Sequence, residues 1–218
     1  MKILSSLAIV GMLVCSCLGQ SKKVESLETI TLPPAVHTGG KPLMQTLNER
    51  QSSKVYSDKM LAPDMLSNLL WAAFGINRPD SGKRTVATAV NCQDIDIYVV
   101  FKQGVYLYQA KEHLLKPVLA EDVRKLAATQ AYAQKAPVQL VYVSDYQKMD
   151  DRFETKKPIY SAFHAGSISQ NVYLYCASSG LGSVVRDGVS REKLHKVLGL
   201  RKKQVIVMAQ TVGYPATD

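Results

Sequence analysis

Apolar positions along the chain recur with two periods, and each predicts a different kind of element. From Asp94 to Phe101 the pattern alternates. Ile95, Ile97, Val99 and Phe101 fall on one side, and Asp94, Asp96 and Tyr98 on the other, which predicts a half-buried strand. Gln103-Gly104 marks a turn, and Val105 to Tyr108 reads as the returning strand of a hairpin. Val138 to Val143 and Val205 to Val212 are apolar runs of strand length. Elsewhere the spacing is helical. Met44 to Arg50 fits a short helix. Pro63 and Asp64 open a stronger one, because proline suits a first turn and a carboxylate favours the positive end of the helix dipole. Leu66, Leu69, Leu70 and Ala73 line one face of that helix, and Gly75 stops it. Asn77 to Asn91, with Pro79 and Gly82, reads as a loop. Glu121 to Gln134 reads as one helix with Val123, Leu126, Ala127 and Gln130 near one face, ended by Pro137. Tyr160 to Ser179 predicts a long helix, apolar on several sides and closed by Gly180 and Gly182. Such a helix belongs at the centre of a fold or in a subunit interface. Ser190 is placed to cap a last helix to Leu198, stopped by Gly199. Helices and strands intermingle without regular alternation, so the predicted class is α+β.

The first residues read as an address rather than as fold. Lys2 supplies a positive start, Ile3, Leu4 and Leu7 to Leu13 an apolar stretch, and Cys15, Ser16, Cys17 and Gly19 a run of small side chains. Residues 1–19 therefore predict a secretion signal, cleaved either after Gly19 or before Cys17, the second route leaving a lipid on Cys17. The chain is expected to be exported, either periplasmic or lipid-anchored at the cell envelope. Residues 20–41, with Pro33-Pro34 and Gly39-Gly40, read as an extended arm or tether, and residues 42–218 as a single domain.

Composition narrows the function classes. The 218 residues, 46% hydrophobic and 21% charged, suit a globular domain and argue against disorder. Four cysteines do not make a disulfide scaffold, and the four histidines are scattered without metal-ligand spacing, so no metal is expected. No glycine fingerprint for a dinucleotide follows a strand, Ser81-Gly82-Lys83-Arg84-Thr85 lacks the residues of a phosphate loop, and no nucleophile elbow is present. The excess of 27 Lys and Arg over 18 Asp and Glu fits an anionic ligand, but it is spread along the chain and predicts no nucleic-acid partner. The sharper feature is Arg50-Gln51-Ser52-Ser53-Lys54. In an extended segment Arg50, Ser52 and Lys54 point to one side. Two cations and a hydroxyl so arranged are either a cradle for a phosphate dianion or a solvated charged turn.

The same residues resemble the Arg-x-Ser-x-Arg/Lys opening of flavin-dependent nitroreductase-family domains. Further stretches follow in that family's order: Leu69-Leu70-Trp71-Ala72-Ala73-Phe74-Gly75-Ile76-Asn77-Arg78; Lys83-Arg84-Thr85 through Asn91-Cys92-Gln93 to Gly104-Val105-Tyr106-Leu107-Tyr108; Ala165-Gly166 with Gln170-Asn171, then Gly180-Leu181-Gly182-Ser183-Val184; and Val212-Gly213-Tyr214-Pro215. They resemble most the SagB/ThcOx-type dehydrogenase branch. The resemblance implies an FMN-dependent nitroreductase-like α+β fold, with a central mixed or antiparallel sheet flanked by helices. It also implies a homodimer joined through long helices, with FMN at the subunit interface.

Carried over by position, Arg50, Gln51, Ser52 and Lys54 would hold the FMN phosphate. Thr88, Ala89 and Asn91 would approach the flavin from the partner subunit. Val185, Arg186, Asp187 and Gly188 would run beside the ring, with the Asp187 backbone N–H near the flavin N5, and Gln130 would reach the ribityl or pyrimidine side. No side-chain acid or base is implied, because the flavin carries the redox chemistry. The implied activity is ping-pong hydride transfer to or from a small organic substrate, with NAD(P)H or a membrane-linked donor supplying electrons. The alternative is a flavin-binding or dimerisation protein without turnover, held at the envelope. Several side chains keep two readings. Arg186 either shapes the pocket or attracts an anionic substrate, or makes only a backbone contact with its side chain facing solvent. Cys92 is either a redox thiol or a packing residue. Gln170 and Asn171 are expected to bond across the dimer, and Tyr173 to be interface or core.

Overall fold

Seven strands form one sheet in the order β1-β6-β5-β4-β7-β9-β8, and every pairing in it is antiparallel. In this computed structural model, which describes residues 27–216, the strands are β1 (Ile30–Thr31), β4 (Ile95–Val100), β5 (Val105–Gln109), β6 (Leu114–Leu119), β7 (Val138–Asp145), β8 (Gly182–Arg186) and β9 (Gln204–Gly213). The secretion signal and the start of the arm lie outside the described residues. The helices are α1 (Leu43–Glu49), α2 (Pro63–Phe74), α3 (Arg124–Ala127), α4 (Ala131–Lys135), α5 (Lys157–Ser179) and α6 (Arg191–Val197).

The sheet is buried on both faces. Ile95, Ile97, Val99 and Phe101 pack with Leu69, Leu70, Phe74, Ile168 and Val172 of α2 and α5. Tyr98 and Val100 pack with Ala127 of α3 and Leu194 of α6. The alternation of β4 is therefore real, but the strand is not half-buried. Its second face carries Tyr98 and Val100 because short helices cover that side. β7, at the centre, is buried along its whole length.

Other differences have local causes. The loop expected over Asn77 to Asn91 contains a small hairpin, β2 (Ile76–Arg78) with β3 (Lys83–Arg84). β6 carries Pro117, which argues against a strand; it is tolerated there because only the two-residue β1 lies outside it. The helix expected over Glu121 to Gln134 is broken into α3 and α4. Its backbone groups are taken by tertiary partners: Thr129 N–H donates to Gly188 O at 3.0 Å and Ala127 O accepts from Arg186 Nη1 at 3.2 Å. Ser190 stands before α6 but makes no side-chain cap.

From Leu27 onward the arm is not a free tether. Ile30 and Thr31 pair with Leu115 and Leu114, Leu32 is buried, and Pro33 O accepts from Ser67 Oγ at 2.6 Å. His37 then stacks on Trp71 with centroids 4.2 Å apart. The folded body therefore begins well before residue 42.

Gly75 ends α2 in extended backbone, φ −71°, so positive φ is not what its glycine supplies. A Cβ there would lie 2.4 Å from Trp71 Cδ1 and 2.7 Å from the Trp71 backbone. Gly75→Ala is expected to destabilise the fold by about 1–3 kcal/mol, the range for overpacking. A urea midpoint equal to that of the parent protein would refute this.

Candidate functional site

Arg50 leaves α1 with ψ 120°, and the chain that follows runs extended. Backbone bonds hold that run against the sheet edge: Ser53 N–H donates to Ser183 O at 2.9 Å, and Tyr56 bridges to Pro215. The approach is so close that a Cβ on Gly182 would lie 2.8 Å from Ser53 Cβ. The side chains of Arg50, Gln51, Ser52 and Lys54 line a cleft of about 730 Å³, closed by Tyr173 of α5, the Gly180–Gly182 turn and Pro215. Gly180 is left-handed, φ 71°, which lets α5 stop and turn into β8 here.

The charges in this cleft are available. Among the described residues neither Arg50 nor Lys54 has a carboxylate partner. The Arg50 guanidinium lies 5.3 Å from the Tyr173 ring centre, and Lys54 Nζ lies 6.0 Å from that of Tyr132. Glu49, the nearby acid, is engaged by Lys41 at 2.5 Å, which holds its carboxyl below the usual range. Ser52 Oγ is 3.0 Å from Tyr173 Oη, and Tyr173 Oη accepts from Val185 N–H at 2.8 Å. With Tyr173 donating to Ser52, the serine proton is free to point at an anion. Tyr173 is a site residue that the sequence reading left as core or interface. Its phenol ties the cradle to the first residue of the 185–188 strip.

That strip has its own supports. Asp187 keeps an exposed carboxylate, held by Arg191 Nη2 at 2.5 Å, while Arg191 also donates to Ile206 O and Val207 O. Gly188 lies against Gln130, where a Cβ would come within 2.2 Å of Gln130 Nε2. Arg186 corrects both expectations for it. The side chain neither faces solvent nor opens into the cleft. It is buried and donates to Thr211 Oγ1 at 2.8 Å, Gln139 Oε1 at 2.6 Å and Gly188 O at 3.1 Å.

Thr88, Ala89 and Asn91 do not line this cleft. Their turn is strained: Val90, Asn91 and Gln93 have φ of 47°, 57° and 48°, and a β-branched residue rarely adopts such a value. A buried chain of bonds holds it. Ala89 N–H donates to His164 Nε2 at 2.8 Å, and His164 Nδ1 lies 2.6 Å from Asp94 Oδ1. The imidazole is thus neutral with its proton on Nδ1, since Nε2 accepts. Ser144 Oγ donates to Asp94 Oδ2 at 2.6 Å, and Cys92 Sγ lies 3.4 Å from Asp94 Oδ1. Burial and the adjacent carboxylate push the Cys92 thiol up to about 11, so it stays protonated and packs. Cys92, Asp94 and His164 bring metal-capable atoms within 4.8 Å of one another, but these atoms already bond to one another or to Ala89. Sequence spacing could not reveal this network, because its members lie up to 75 residues apart. Asn171 Nδ2 donates to Ala72 O at 2.9 Å, joining α5 to α2 within the chain.

Comparison with known proteins places this geometry. The nitroreductase family model matches residues 47–214. A protein of Methanocaldococcus jannaschii named as a nitroreductase is 27% identical over 176 residues, covering 76% of this chain and 88% of that one. A crystal structure from Ralstonia eutropha, also described as a nitroreductase, superposes with a TM-score of 0.84 at 37% identity, covering 88% of this chain and 92% of that one. A nitroreductase structure from Desulfovibrio desulfuricans, in complex with FMN, shares the fold with a TM-score of 0.58 at 20% identity, covering 82% of this chain and 89% of that one. The chain belongs to the nitroreductase family, a family of FMN-dependent oxidoreductases.

Proposed function

We propose that the cleft beneath Arg50, Ser52 and Lys54 is the phosphate end of an FMN site, and that a homodimer of this chain uses the flavin to pass hydride equivalents between a donor and a small organic acceptor. The observation that carries this is the cradle itself: two cations without carboxylate partners among the described residues and a serine hydroxyl, on one side of an extended segment. An anion there gains charge-assisted bonds at no cost in broken ion pairs. The volume, about 730 Å³, lies within the range of cofactor pockets. The FMN bound in the Desulfovibrio desulfuricans relative supports the choice of ligand.

FMN, when bound, supplies the hydride chemistry. The chain's own residues bind and orient. Arg50, Gln51, Ser52 and Lys54 take the phosphate. Val185 to Gly188, fixed by Tyr173, Arg191 and Gln130, offer backbone groups beside the ring, with Asp187 N–H assigned to N5. Thr88, Ala89 and Asn91 are assigned to the partner's flavin. The strain in their turn, held by His164, presets that edge. Exposed Leu43, Met44 and Leu47 of α1 and Ile159 and Phe163 of α5 leave apolar surface that a second copy would cover. The donor is NAD(P)H or, if residues 1–19 direct export, a membrane-linked carrier. The nearest specificity is that of the SagB-type dehydrogenases.

The purified mature protein should be yellow, release FMN on heating and run as a dimer by light scattering. Its flavin should be reduced and reoxidised far faster than free FMN. A protein that takes up no FMN would overturn the assignment, and a flavin that turns over no faster than free FMN would leave a binding protein instead. Tyr173→Phe removes the partner of both Ser52 and Val185 N–H. It should weaken FMN binding by about 1–2 kcal/mol, the cost of unsatisfied polar groups, with the fold intact. Fluorescence titration of the stripped protein reads this, and unchanged affinity would remove Tyr173 from the site.

A further inference from the structure

Arg186 is a buried cation among neutral groups. Its side-chain nitrogens donate to Thr211 Oγ1, Gln139 Oε1, Ala127 O and Gly188 O, and Nη1 lies 3.5 Å from Gln130 Oε1. Not one of these acceptors is a carboxylate. The adjacent carboxylate, Asp187, is exposed and bonded to Arg191. The titratable groups that bear on the guanidinium are the phenols of Tyr132 and Tyr56, and burial pushes the Tyr56 phenol upward, so it stays neutral. Desolvation draws the Arg186 guanidinium downward, yet an arginine stays charged at any ordinary pH. The bonds hold the group rigidly: Gln139 Oε1 also accepts from Thr211 Oγ1 at 2.7 Å, and Gln139 Nε2 donates to Ala133 O at 2.6 Å.

A full positive charge is thus fixed, buried and without a carboxylate partner among the described residues, beside Gly188 and Gln130. Burying a charge without a partner is costly unless an anion completes it from outside. No carboxylate of this chain does so among the described residues. On the reading that Val185 to Gly188 flank FMN, Arg186 would stand behind the residues that hold the isoalloxazine. A hydride delivered to N5 brings two electrons and one proton, and it leaves one negative charge on the N1 and O2 side of the ring. On that reading the cation would lie within electrostatic range of a charge that exists only in the reduced cofactor.

We propose that Arg186 is an electrostatic tuning residue that makes this protein bind reduced FMN more tightly than oxidised FMN and so raises the two-electron potential of the bound flavin. It acts through Gly188 and Gln130, without touching substrate. The preference is thermodynamically the same quantity as the potential shift, since a ligand's affinity for two states and the equilibrium between them are linked.

The test uses the FMN-loaded full protein and its Arg186→Met and Arg186→Lys variants. Anaerobic titration against a reference dye gives the midpoint potential, and fluorescence titration gives the affinity for oxidised FMN. Arg186→Met should lower the midpoint by at least about 30 mV, which is tenfold in the ratio of the two affinities for a two-electron couple. Its affinity for oxidised FMN should change less than that, and Arg186→Lys should recover part of the potential. An Arg186→Met protein that holds FMN at the parent potential overturns the proposal. If that variant does not fold, the parent protein decides: it must bind reduced FMN more tightly than oxidised, and equal or reversed affinities overturn the proposal. A parent protein that takes up no FMN removes the cofactor assignment and this inference with it, whereas FMN bound at an Arg186-independent potential removes this inference alone.

Discussion

Arg50→Ala should weaken FMN binding by about 1.5–3 kcal/mol, one to two decades in Kd, while leaving thermal stability nearly unchanged. The reasoning is local. Among the described residues Arg50 has no carboxylate partner to lose, and its contact with the Tyr173 ring is the modest kind made by a partly exposed cation. Removing the guanidinium therefore costs the fold little and the phosphate a charge-assisted, geometrically matched pair of donors. Arg50→Lys should recover only part of the loss, because an ammonium cannot make the planar fork. Binding should also weaken with added salt, more steeply in the parent protein than in Arg50→Ala. Equal FMN retention by Arg50→Ala and the parent would remove this residue from the cradle.

Asp94→Ala should be the most damaging single change to stability, about 3–5 kcal/mol, because it strands several buried partners at once. His164 Nδ1–H, the Ser144 hydroxyl and the Cys92 thiol all turn to this carboxylate. The same group makes stability depend on pH. Desolvation pushes the Asp94 carboxyl up, but hydrogen bonds from His164 and Ser144 outweigh it, and the net shift is downward. A carboxyl depressed in the folded state contributes its stability above the unfolded value, about 3.9, and loses it as pH falls through the lower folded value. Urea midpoints should hold to about pH 4 and then drop, and Asp94→Asn should flatten that drop. An Asp94→Ala protein as stable as the parent would show that the network carries nothing. The loss should also loosen the strained Val90–Gln93 turn, since the chain from Asp94 through His164 to Ala89 N–H is what presets it.

Much of this was legible along the chain. The period of α2 and the alternation of β4 follow from burial on one stripe or face, and the common side of Arg50, Ser52 and Lys54 follows from the same alternation in an extended segment. What escaped was set by contacts across the sequence. β6 carries a proline that only its near-edge place excuses. The Glu121–Gln134 segment has helical spacing, but Gly188 and Arg186 claim its backbone groups. Tyr173 looked like core because its hydroxyl finds Ser52 only across 121 residues. Arg186 could be matched to the family strip, but the direction of its side chain depends on Thr211 and Gln139, two strands away. The antiparallel sheet agrees with the α+β class read from the chain, and it resolves the mixed-or-antiparallel alternative.

Ser52 and Ser53 also meet the start of β8, the outermost strand, where Ser53 N–H takes the Ser183 carbonyl as an acceptor. An open strand rim invites another chain to add to it, and here the start of the rim is covered by residues next to those assigned to the coenzyme's phosphate. Loss of the coenzyme would then loosen the latch as well as empty the cleft. Colourless preparations should turn cloudy on storage sooner than yellow ones, and replenishing FMN should prolong their shelf life.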